Sequence, residues 1–287
     1  MLIPKLREAV TNLKYMPVNE YFSFATEQFA DNIFVFGNSD FIDSRLLQLF
    51  LTFHRPTFVH SLMVAKLTEV LFRELYHNNP SFVLSMMDIS ESSADEISMY
   101  DYFQKAYTMG LFHDLGKIII MDYVNQYARR LFPEEFELIK AHSYNGYVLL
   151  NYYNSGRDYA QAALGHHRYF DESAGYPDYY ERTNDLTQVI IDILTVADSL
   201  DAATDNIGRC YANGISFSQL VQQLFDGSGT RYAPYVTDLF RNPDFYRYLE
   251  KHLPDWRQDA YYEAYLSSGT EDTLTFWQNR DRPILSG

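Results

Sequence analysis

An all-α fold is what this 287-residue sequence predicts, on three observations. Apolar residues recur at helical spacing, candidate caps sit where those segments begin, and strand-like alternation is scarce. In PTFVHSLMVAKLTEVLFRELY, Pro56 takes the first helical position, and apolar residues at 59, 62, 63, 67, 70, 71 and 75 follow a 3.6-residue period. NDLTQVIIDILTVADSLDAAT offers Asn184 or Asp185 as a cap before a strongly apolar helix. FPEEFELIKAHSYNGYVLLNYY, from Phe132, and SFSQLVQQLF, from Ser216, read as further helices. NIFVFG at 32–37 is the one strand candidate. Residues 1–50 are expected to be an N-terminal helical segment, either a small subdomain or extra helices on the same core. Residues 51–287 are expected to be the main domain. The polar stretch DISESSADE, Asp88 to Glu96, reads as a solvated loop between the helix carrying His60 and the one leading to His113.

Bulk properties narrow the function classes. With 47% hydrophobic residues the chain has enough apolar material for a substantial core, and its 25 Tyr and 21 Phe exceed what a core needs, so some tyrosines are expected to line a cleft or an interface. The 38 acidic residues against 23 basic ones leave a net charge of −15, which repels a nucleic-acid backbone and excludes a general DNA or RNA binder. A small phosphorylated substrate is compatible only where metal ions or local cations reverse that field. Cys210 is the single cysteine, so neither an internal disulfide nor a cysteine-based zinc site is available. No run reaches the ~18 apolar residues of a membrane span. The first residues carry Lys5, Arg7 and Glu8 rather than an apolar signal-peptide core. A soluble, cytoplasmic protein is expected.

GLFHDLGKIII, Gly110 to Ile120, places a histidine, an aspartate and a lysine among residues that read as buried. Buried charges need partners or a metal. Eight histidines occur, and five of them stand in apolar helical settings or beside small residues: TFVHSLMVA, GLFHDLGK, IKAHSYNGY and the doublet in ALGHHRYF. Asp198 lies in a similar setting, ILTVADSLDAAT. Any one of these histidines alone reads as a core or surface residue; the set is what points to metal. Imidazole and carboxylate together suit Mn²⁺, Fe or Zn²⁺, whereas oxygen-only sites favour Mg²⁺ or Ca²⁺. Asp114 has two oxygens with which to bridge two ions while His113 holds one. Two ions ~3.5–4 Å apart activate water and stabilise the attacking and leaving oxygens of a phosphoryl group. Lys117, three residues on, is placed to hold a phosphate oxygen.

The order His60, His113-Asp114, His142, His166-His167, Gly175-Tyr176-Pro177, Asp198 resembles the HD-GYP branch of the HD-domain metal-dependent phosphohydrolases, over roughly residues 55–225. HDLGK is similar to the family's HD-x-G-K; His142 with Gly146 and Leu149 to its H…G…L helix; HHRYFDESAGYP to its HH…GYP loop; and VADSLDAATDNIGRCY to its last metal aspartate and the segment after it. The resemblance implies a helical bundle with a dinuclear metal centre. It implies one ion held by His60, His113, Asp114 and Asp198, and a second by Asp114, His142, His166 and His167. The two ions would be divalent transition metals, Fe or Mn first, with Zn or Ni as alternatives. Asp114 and Lys117 would serve catalysis, and Arg209, Tyr211, Tyr176 and Arg168 would contact substrate. The implied substrate is a cyclic dinucleotide, cyclic di-GMP foremost. The protein partner expected is a second copy in a homodimer or a signalling protein, and regulatory input is expected from a partner or from residues 1–50.

Four departures bear on that resemblance. Pro56 stands where some members place a glutamate for a third metal, and Arg168 replaces the glutamate that follows the HH pair. DESAGYP is one residue longer than the family's loop, with Glu172 in place of a glycine. Arg209-Cys210-Tyr211-Ala212 keeps the first cation of the family's R-P-Y-K/R but lacks the second. Two other readings follow from these departures: an HD-type hydrolase of a mononucleotide, such as a dNTP or a guanosine polyphosphate, and a non-catalytic nucleotide- or protein-binding module.

Overall fold

The computed structural model describes residues 54–87, 99–120, 132–207 and 214–266. The expectations placed on residues 1–50, on the 88–96 loop, and on Arg209, Cys210, Tyr211 and Ala212 lie outside the described residues. Ten α-helices are described: α1 (Arg55–Asn78), α2 (Pro80–Met86), α3 (Met99–Phe112), α4 (Pro133–Lys140), α5 (His142–Tyr152), α6 (Arg157–Gly165), α7 (Leu186–Thr204), α8 (Phe217–Asp226), α9 (Pro234–Thr237) and α10 (Pro243–Leu266). A 3₁₀ turn, Leu115–Ile120, follows the His113-Asp114 pair. Among the described residues there is no strand, only two isolated bridges, Arg168 with Gly175 and Ser228 with Tyr232. No described helix is long and apolar enough to cross a membrane.

The helix starts follow the chemistry of their caps. The His54 side chain accepts from the Thr57 amide at 3.1 Å, with Pro56 in the first turn of α1. Asp185 caps α7 by accepting from the Gln188 amide at 3.0 Å, and Ser216 caps α8 in a reciprocal box with Gln219. The segment from Phe132, expected as one helix, is two: Ala141 separates α4 from α5. The break has a local cause. His142 Nδ1 reaches the Ile139 carbonyl at 2.6 Å, the acceptor that residue 143 would use in an unbroken helix.

α1 is the central element, packed against α3, α7 and α10. Its Met63, Leu67, Leu71 and Phe72 are fully enclosed, as are Met109 and Leu111 of α3, Leu115 of the 3₁₀ turn, and Leu149 and Leu150 of α5. Each such side chain contributes roughly 1.5–3 kcal/mol of burial. α5 packs on α6 and on the 3₁₀ turn. That contact explains Gly116: a Cβ there would lie 1.9 Å from the His142 carbonyl oxygen and 2.4 Å from the Gly146 amide. The close approach brings the turn bearing Asp114 against the helix that starts at His142.

Candidate metal centre

Seven side chains predicted as ligands converge, and five separate elements carry them. His60 comes from α1, His113 and Asp114 from the turn after α3, His142 from the first position of α5, His166 and His167 from the end of α6, and Asp198 from α7. Their ligand atoms form two groups, each spanning no more than 4.8 Å: Asp114, His142, His166 and His167 in one, His60, His113 and Asp198 in the other. Asp114 faces both. Its Oδ1 lies 3.3 Å from His142 Nε2 and 3.9 Å from His166 Nε2, and its Oδ2 lies 3.4 Å from both His60 Nε2 and His113 Nε2. Asp198 approaches His60 Nε2 at 3.1 Å through Oδ1 and His167 Nδ1 at 3.9 Å through Oδ2.

The rings are oriented from behind. Nδ1 of His113 meets the Gly110 carbonyl at 2.6 Å, Nδ1 of His142 the Ile139 carbonyl, and Nδ1 of His166 the Ala163 carbonyl at 2.9 Å. A carbonyl only accepts, so the proton belongs on Nδ1 and the Nε2 lone pair points inward. Burial lowers the pKa of His142 to about 4 and of His166 to about 3, so both rings are neutral near pH 7. His142 Nε2 and His166 Nε2 then face each other at 3.3 Å with no proton between them. Asp114 Oδ1, also fully buried, has no hydrogen-bond partner. Lone pairs and a carboxylate oxygen converging on one point could hold a cation, and a His/Asp donor set suits a divalent transition metal.

In the second group His60 stands between two carboxylates, Asp198 and Asp201. Burial would lower the pKa of His60, but hydrogen bonds to Asp198 and Asp201 raise it to about 9. Burial would raise the Asp114 carboxyl; the Lys117 charge beside it holds it well below the usual carboxylate range. Lys117 donates to Asp114 Oδ2 and keeps a partly exposed ammonium at the rim.

The loop after His167 is built around Gly175, at φ +87°, where a Cβ would meet the His167 carbonyl oxygen at 2.2 Å. Glu172, the residue of the lengthened loop, has φ +59°, a left-handed conformation. Arg168 donates to the carbonyls of Glu172 at 2.6 Å and Ala174 at 3.0 Å, so its guanidinium clamps the loop. Tyr176 lies with its ring 4.5 Å from that of His167. Burial and the Asp198 and Asp114 charges push its phenol up, so it stays protonated.

Two residues that support the cluster were not singled out in the sequence. Asp201 Oδ2 holds His60 Nδ1 at 2.7 Å, a carboxylate–histidine arrangement behind a ligand. Arg257, on α10, donates to Asp201 Oδ1 and to Thr204 Oγ1, both at 2.8 Å, and to the Thr204 carbonyl at 2.9 Å. Asp201 had a signal, since it follows Asp198 by three positions on one helix and so shares its face; Arg257 had none. A cleft of about 1180 Å³ opens elsewhere, lined by Phe217, Tyr261 and Tyr265 among others. None of its lining residues belongs to the histidine–aspartate cluster.

Known proteins share parts of this chain. A cyclic di-GMP phosphodiesterase of Thermotoga maritima is 33% identical over 171 residues, 58% of this chain and 43% of the relative. The chain thus spans less than half of that protein's length. Two crystal structures of the HD domain of the L. monocytogenes phosphodiesterase PgpH, one in complex with cyclic-di-AMP, align with TM-scores of 0.41 and 0.39 and identities of 15% and 14%. They cover 76% and 85% of this chain and 96% and 100% of their own. Residues 57–203, just over half of the sequence, match the family model for the HD domain, and the chain belongs to the HD domain family.

Proposed function

We propose that this chain is an HD-GYP-type phosphodiesterase that hydrolyses a cyclic dinucleotide, with cyclic di-GMP as the substrate. The observation that carries the reading is Asp114, one buried carboxylate whose two oxygens face two separate sets of histidines. The Gly175-Tyr176-Pro177 loop against His167 and the likeness to a cyclic di-GMP phosphodiesterase of Thermotoga maritima support it. His60, His113, Asp114 and Asp198 would hold one divalent ion, and Asp114, His142, His166 and His167 a second. Ions bound there would supply an activated water and offset charge on the phosphoryl oxygens.

The protein groups have definable tasks. His142 and His166 present neutral Nε2 lone pairs, with their Nδ1 protons fixed on backbone carbonyls. Lys117, partly exposed beside Asp114, offers an ammonium to a phosphate oxygen. Tyr176 keeps a protonated phenol as a donor and its ring next to His167. The test is hydrolysis of cyclic di-GMP by Mn²⁺- or Fe²⁺-loaded protein prepared without oxygen, with Asp114→Ala alongside. Product from the wild type alone supports the reading. Equal turnover by Asp114→Ala, or no product from metal-replete wild type, rejects it.

A further inference from the structure

One cation at the rim is used by neither the ligand cluster nor the core. Arg231 lies in the turn between α8 and α9, which is closed by hydrogen bonds from the Gly229 amide to the Tyr232 carbonyl at 2.9 Å and from the Tyr232 amide to the Gly227 carbonyl at 3.0 Å. This turn is joined to the segment just after His166-His167. The Phe170 amide donates to the Arg231 carbonyl at 3.3 Å and the Asp171 amide to the Thr230 carbonyl at 3.0 Å.

The side chain is placed but not neutralised. Its guanidinium carbon lies 5.0 Å from the Tyr232 ring centre and 5.9 Å from that of Tyr169. Nη2 lies 3.4 Å from Oγ of Ser199, the residue after Asp198, and that hydroxyl also receives the Tyr232 phenol at 3.1 Å. No carboxylate among the described residues pairs with Arg231, and most of its five N–H donors have no protein acceptor there. Its charge reaches the cluster's surroundings: it opposes the effect of Asp198 and Asp114 on the Tyr176 phenol. An arginine held on aromatic faces with its donors open is preorganised for an oxyanion. In a chain of net charge −15, such a local cation is what lets a dianionic substrate approach.

We propose that Arg231 is a substrate-binding residue that grips the second, non-scissile phosphate of the dinucleotide, while Lys117 serves the phosphate at the ligand cluster. The inference rests on the phosphodiesterase reading above and names a recognition element for it.

The experiment compares metal-loaded wild type, Arg231→Ala, Arg231→Lys and the control Arg241→Ala, whose exposed arginine is paired with Asp238. Each is assayed on cyclic di-GMP, cyclic di-AMP and the single-phosphate ester bis(p-nitrophenyl) phosphate, with metal content measured in parallel. Loss of a charged hydrogen bond should raise KM for a dinucleotide about tenfold or more in Arg231→Ala. The effect on kcat should be smaller, the loss toward the single-phosphate ester several times less, and Arg231→Lys should recover part of the affinity. Unchanged KM in Arg231→Ala, or equal losses on both substrate types, overturns the inference while the phosphodiesterase reading stands. Wild type inert toward both dinucleotides removes that reading, and this inference with it.

Discussion

The two halves of the ligand cluster are oriented by different means. In the half formed by Asp114, His142, His166 and His167, His142 and His166 are each set by a carbonyl three residues earlier in the chain. In the half formed by His60, His113 and Asp198, His113 follows that local pattern, but His60 is set by Asp201, 141 residues away. Asp201 is held in turn by Arg257, a further 56 residues on. A ring fixed by its own turn is correct once the turn forms. A ring fixed by a distant carboxylate is correct only when α1, α7 and α10 are docked. The first half is therefore built into local structure, and the second reports on tertiary packing.

The largest effect should come from the one residue common to both halves. Asp114→Ala removes the carboxylate facing both sets of histidines, and ions per chain after equilibrium dialysis should fall close to zero. The affinity loss should exceed about a hundredfold, the upper end for residues that only support ligands. Retention of half the wild-type metal would show that one half stands without Asp114, and the comparison would need redrawing.

What could be read beforehand follows the same division between local and distant. The helices at 55–78, 186–204 and 217–226 were legible because periodicity and caps are local. The clustered side chains were legible as a set, because several histidines and aspartates in apolar settings are costly to bury unless they meet one another or a cation. The split at Ala141 was not, since it depends on where the His142 ring points. The glycine of HDLGK was visible as a motif, but its reason, contact with the His142 carbonyl, exists only in three dimensions. Arg257 and Arg231 left no trace because their partners, Asp201 and Ser199, lie 56 and 32 residues away.

Asp201→Asn should have the next largest effect. The amide retains an acceptor but loses the charge that holds the His60 Nδ1 proton. Metal affinity in the His60 half should weaken about 10–100-fold, the range for a carboxylate behind a ligating histidine. Binding in the His142 half should be unaffected. A two-phase metal titration by calorimetry separates the halves, and equal weakening of both phases would contradict their independence.

The smallest effect is expected from Arg257→Lys, and it is the most discriminating. Arg257 and Asp201 are both buried, so removing the cation would leave an unpaired carboxylate and threaten the fold. Lysine keeps the charge beside Asp201 but lacks the fork that also serves the Thr204 carbonyl and hydroxyl. If Arg257 acts only as a strut, the change lowers Tm and leaves both phases of the metal titration alone. If it sets His60 through Asp201, the His60 phase should weaken by about threefold, below the range for Asp201 itself, while the His142 phase stays put. In an Asp201→Asn background, a relay through Asp201 leaves Arg257→Lys no further loss to add to the His60 phase, whereas a strut that acts through helix docking adds its own.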